Sequence, residues 1–104
     1  MVDLKKIKEW VLNNKQVGKV FSYEKGGELC WSSVAIQKYE GIIKVYIDEI
    51  LESQMDSENY LREEILKFST IEEAIDYLSN ESQVRIEDLC PCKGQKIFNP
   101  ALGN

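Results

Sequence analysis

The chain has 104 residues, 43% of them apolar and 30% charged, with a formal net charge of −5 and no histidine. That length suits one domain, 1–104, with enough apolar residues to fold around a core without disulfide staples. No apolar run approaches the ~20 residues of a membrane span, and the lack of histidine excludes Ser-His, Cys-His and two-histidine metal chemistry.

Residues 3–14 read as a helix, because Leu4, Ile7 and Val11 share one face, with Trp10 beside them and lysines opposite. Asp3 suits the N-cap and Asn13-Asn14 the end. Residues 17–24 read as a strand. Lys25-Gly26-Gly27 then makes a hairpin turn, since Gly-Gly tolerates positive φ. Glu28 to Lys38 is the returning strand. Leu29, Trp31, Ser33, Ala35 and Gln37 lie on one face, and Cys30, Ser32, Val34, Ile36 and Lys38 on the other. Trp31 is assigned to the core. Tyr39-Glu40-Gly41 is a second turn.

Ile42 to Leu51 is the clearest strand, rich in β-branched and aromatic residues. Ile43, Val45, Ile47 and Glu49 form one face; Lys44, Tyr46 and Asp48 form the other. The expected sheet buries one side and shows the second, with Tyr46, to solvent. Ser53 to Asn59 is a polar loop. Residues 60–68 admit a helix through Leu61, Ile65 and Phe68. They are read as a strand because a strong helix start follows at once. Ser69 and Thr70 lie three residues before Glu72 and Glu73, the capping-box spacing. That helix runs to about Asn80 and buries Ile71, Ala74, Ile75 and Leu78. Val84 to Asn104 reads as irregular, pinned by Val84, Ile86, Leu89, Ile97 and Phe98. A helix, three to four antiparallel strands and a later helix predict an α+β fold with the helices packed on one sheet face.

Few residues suggest chemistry. Glycosidase-like catalysis needs two carboxylates facing across a cleft, and nothing in the pattern suggests one. The chain is read as not an enzyme, with no cofactor and no metal. Cys30, Cys90 and Cys92 are too few and too unevenly spaced for a disulfide framework. Cys90-Pro91-Cys92 admits a redox dithiol or half a metal site. The single-residue spacing and the lack of a second pair favour two small semi-buried residues around a helix-ending proline. Lys93-Gly94-Gln95-Lys96 lacks the upstream glycines and the Ser or Thr of a phosphate loop, and reads as a turn.

The charge is unevenly spread. Residues 1–27 carry six lysines against three acids, residues 28–90 carry fifteen acids against five bases, and residues 91–104 add two lysines. Asp48 to Glu64 holds seven acids against Arg62 alone. Such a field repels nucleic acid and favours a basic partner. The plainer reading is a solvated surface that keeps the chain soluble. The start, Met-Val-Asp-Leu-Lys-Lys, lacks the apolar stretch of a signal peptide, so a cytoplasmic location is expected.

Three stretches carry a resemblance. They are Lys25-Gly26-Gly27-Glu28-Leu29-Cys30-Trp31-Ser32-Ser33, Lys44-Val45-Tyr46-Ile47-Asp48-Glu49, and Phe68-Ser69-Thr70-Ile71-Glu72-Glu73-Ala74-Ile75-Asp76-Tyr77-Leu78. In type and order, across about residues 20–80, they resemble small immunity proteins of bacterial polymorphic toxin systems, such as contact-dependent growth inhibition. The resemblance implies a protein that binds the cognate toxin domain, often a nuclease with a basic cleft, and neutralises it in the cytoplasm. An acidic face would then displace nucleic acid, speed association and set partner choice. The candidate partner-binding residues, chosen from charge, are Asp48, Glu49, Glu52, Asp56 and Glu58, with Tyr46 as aromatic anchor. The alternative is a generic interaction or adaptor domain without catalytic activity.

Overall fold

The computed structural model describes residues 4–102. Leu4–Leu12 form α1, Val17–Lys25 β1, Glu28–Tyr39 β2, Ile42–Leu51 β3, Arg62–Phe68 β4, Ile71–Glu81 α2 and Cys90–Pro91 β5. Short 3-10 turns lie at Glu52–Gln54 and Ile86–Asp88. The strands make one antiparallel sheet in the order β4-β3-β2-β1-β5. The chain therefore has the expected α+β fold, with a two-residue fifth strand at one edge.

Local chemistry explains the element ends. Asp3, the expected cap of α1, lies outside the described residues. At the other end Asn14 takes φ 62°. The Lys15 N–H bonds the Trp10 carbonyl and the Asn14 N–H bonds the Val11 carbonyl. This left-handed closure satisfies carbonyls that a helix end otherwise leaves bare. Gly26 and Gly27 both have positive φ, as a two-residue hairpin loop requires. Thr70 caps α2: its hydroxyl oxygen accepts the Glu73 N–H at 3.2 Å.

One sheet face and the two helices enclose the main core. Val34 and Ile36 of β2 meet Val45 and Ile47 of β3, and Val11 and Leu78 pack down on them, all fully buried. Arg62 of β4 ties α2 to the sheet. Its guanidinium bonds Glu64, the Tyr77 hydroxyl and the Glu81 carbonyl.

The second sheet face departs from expectation. The residues after β5 cross it and lay Ile97 and Phe98 over Ala35 and Tyr46. Gln16 holds this strap. Its side-chain N–H groups donate to Gln37 Oε1 (2.8 Å) and to the Phe98 carbonyl (2.9 Å). Its Oε1 accepts the Ile97 N–H (2.7 Å), and its backbone carbonyl accepts the Cys92 N–H (2.8 Å). Gly18 permits the close approach, because an added Cβ would lie 2.3 Å from the Val34 carbonyl oxygen and 2.7 Å from Ile97 Cδ1. The face expected to meet solvent is thus covered at its centre, and Tyr46 is only 8% exposed. Trp31, assigned to the core, is half-buried. Cys90-Pro91-Cys92 ends no helix. Cys90 and Pro91 pair with Gly18 and Val17 as β5.

Candidate interaction site

β3 ends at Leu51 and β4 begins at Arg62, so the polar chain between them turns back at one corner of the sheet. Its own hydrogen bonds shape it. Met55 N–H reaches the Glu52 carbonyl, Asn59 N–H and the Ser57 hydroxyl reach the Gln54 carbonyl, and Leu61 N–H rejoins the Glu49 carbonyl at 2.8 Å. Glu52, Asp56 and Glu58 project from this loop and are exposed. The Trp31 indole N–H donates to Glu52 at 3.4 Å. Tyr60, further along the same loop, is 40% exposed. Partial desolvation and the nearby charges of Asp48, Glu63 and Glu58 raise its phenol pKa.

Beneath the loop, the Tyr46 hydroxyl lies 3.0 Å from Asp48 Oδ2 and 2.8 Å from Glu63 Oε2. Asp48 and Glu63 are directly opposed across β3 and β4. Asp48 Oδ1 also accepts the Ser33 N–H at 2.8 Å. A phenol has one hydrogen to donate, so both contacts are hydrogen bonds only when one carboxyl carries its own proton. Burial raises the Asp48 pKa, opposed by its bonds from Tyr46 and Ser33 and reinforced by the Glu63 charge. Burial and the two carboxylates push the Tyr46 phenol well above its ordinary value.

A groove of about 540 Å³ opens beside this cluster. Tyr46, Ile65, Ile97 and Phe98 form its walls and Glu63 its lip. The Tyr46 and Phe98 rings stack at 5.5 Å and 10°. Such a slot suits the apolar stem and cationic head of an arginine or lysine. Among the described residues, no three His, Cys, Asp or Glu side chains group as a metal ion would need. No helix there is long and apolar enough to cross a membrane.

The five acidic candidates and Tyr46 fall into three places. Glu52, Asp56 and Glu58 are displayed together on the loop. Tyr46 and Asp48, each 8% exposed, lie below it and cannot act as projecting anchors. Glu49 points to the opposite, helix-bearing face, where it pairs with Arg62 at 3.6 Å and Lys25 at 3.8 Å. Two residues outside that set, Glu63 and Tyr60, lie near the same corner. Glu63 joins the cluster through the register that sets it against Asp48, and Tyr60 supplies the exposed aromatic that Tyr46 does not. Neither carries a motif; the signal is their place next to the start of β4. Comparison with known proteins finds no matching family model, no matching curated protein and no matching solved structure.

Proposed function

We propose that the chain is a non-catalytic inhibitor of the immunity type, which binds a basic toxin domain in the cytoplasm and blocks it. The observation that carries this reading is the run of exposed carboxylates Glu52, Asp56 and Glu58 on the β3–β4 loop, followed by exposed Tyr60 and by Glu63, which lines the groove. Exposed carboxylates speed encounter with a basic partner and fix its orientation. The aromatic side chain and the groove supply burial, which sets the lifetime of the complex. A nuclease domain fits, because the cleft that holds phosphates is basic. The resemblance of residues 20–80 to immunity proteins supports the same reading.

The test has two steps. A toxin domain encoded beside this gene is co-expressed with the chain, and protection of the cell is scored. Association is then followed by stopped flow for the parent and for a Glu52→Lys, Asp56→Lys, Glu58→Lys variant. The expected result is protection by the parent, with association slowed about tenfold or more in the variant and its salt dependence flattened. Protection with unchanged kinetics would remove the acidic corner from the mechanism. Binding to a non-toxic partner without protection would favour the adaptor reading.

A further inference from the structure

The two basic ends of the sequence meet at a place remote from the acidic loop. The link from α1 to β1 and the segment after β5 enclose a pocket of about 550 Å³, with Trp10, Lys15, Pro91, Lys93 and Lys96 in its lining and no carboxylate. No ion pair is formed by Lys15, Lys93 or Lys96 among the described residues. Three lysines and no carboxylate line this concavity, so the local field there favours an anion.

We infer that this pocket binds a small phosphate ester carried on a planar aromatic base, that is, a nucleotide. The volume lies within the range of small-ligand sites, which is roughly 300–1,000 Å³. The Trp10 indole and the Pro91 ring offer apolar surface to a base, and the lysines offer charge to a phosphate. Backbone and side-chain hydrogen bonds join the two walls. The Cys92 N–H bonds the Gln16 carbonyl, and the buried Gln16 side chain holds Ile97, so the backbone next to Lys15 is tied to the far segment. Gly94, at φ 82°, turns the chain between Lys93 and Lys96. This is not a phosphate loop, since the charge comes from side chains rather than a row of backbone N–H groups. The negative end of α1 lies nearby and would oppose an anion. Its closure blunts that effect, because the Trp10 and Val11 carbonyls already accept hydrogen bonds. The acidic field of the whole molecule disfavours long polyanions and leaves room for a small one.

The proposal is independent of the inhibitor reading and stands or falls alone. The test is a titration of the full chain with adenosine monophosphate, followed by proton–nitrogen NMR at low salt. Its two indoles report separately. The Trp10 indole and the amides around Lys93 to Lys96 are expected to shift saturably, while the Trp31 indole stays still. Inorganic phosphate and adenosine are each expected to bind about tenfold more weakly or worse, and so is adenosine monophosphate to a Lys15→Gln, Lys93→Gln, Lys96→Gln variant. No saturable shift overturns the proposal, as does full affinity in that variant. Equal affinity for inorganic phosphate overturns the role of the indole. Binding of single-stranded oligonucleotides that tightens with length overturns the small-ligand assignment.

Discussion

The Tyr46 hydroxyl has one hydrogen for two carboxylates, and one of them is the buried side chain of Asp48. Its pKa in the folded chain is raised, chiefly by burial. An unfolded aspartate titrates near about 3.9. Folded Asp48 holds its proton more tightly, so the associated stability is fully present below that pH and is lost as pH rises through the raised value. Asparagine at this position would still accept the Ser33 N–H and would donate to the Tyr46 oxygen, leaving the phenol hydrogen for Glu63. Asp48→Asn is therefore expected to stabilise the chain by about 0.5–1 kcal/mol at pH 7, the scale of a relieved like-charge pair across strands. The gain should shrink as pH falls towards 4, which thermal unfolding across pH would measure. An equal effect at both pH values would dismiss the shared-proton account. Strand alternation alone placed Tyr46 and Asp48 on one face and Glu49 on the other. The expectation that the Tyr46 face meets solvent fails, because the cover over Tyr46 comes from Ile97 and Phe98, far along the chain, and the partner Arg62 of Glu49 comes from the register of β4.

At the scale of elements, α2 was the easiest to read and β5 the hardest. Ser69 and Thr70 both stand three residues before a glutamate, but only Thr70 has the extended backbone of a cap and bonds the Glu73 N–H. Thr70→Ala is expected to cost about 1 kcal/mol, or roughly 4–8 °C in a domain of this size. Ser69→Ala, in the same thermal scan, should cost much less. β4 was ambiguous because it fits neither period cleanly. Pairing decides it: Arg62, Glu64, Leu66 and Phe68 lie on the helix side, and Glu63, Ile65 and Lys67 on the other. A salt bridge and a hydroxyl satisfy the polar residues on the helix side, so a mixed pattern survives there. β5 left no trace in the sequence, because two paired residues have no period. The clip that holds it is a glutamine whose contacts are all distant in sequence.

Charge and burial are both segregated across the fold. The acidic loop caps the end of the sheet where β3 passes to β4. The basic pocket lies where α1 passes to β1, at the opposite end. The centre is the most protected region, since β2 and β3 are each paired on both sides and Val34, Ala35, Ile36, Val45 and Ile47 are fully buried. Amide hydrogen exchange is expected to be slowest in those two strands and fastest in residues 52–61 and 93–102, as sub-global opening begins where burial is least. Uniform protection would argue against a separable strap. The strap has one more consequence. β1 is paired on its outer side only at Val17 and Gly18. Lys19 and Lys25 blunt the rest of that edge, although Val20 is 53% exposed. If the clip opened, the run from Val17 to Phe21 would become a bare template for another chain. Gln16→Ala should therefore shorten the lag to fibril formation, followed with an amyloid-binding dye, under conditions that leave the parent dissolved. On that expectation the segment after β5 would also serve as a seal against polymerisation of the protein with its own copies.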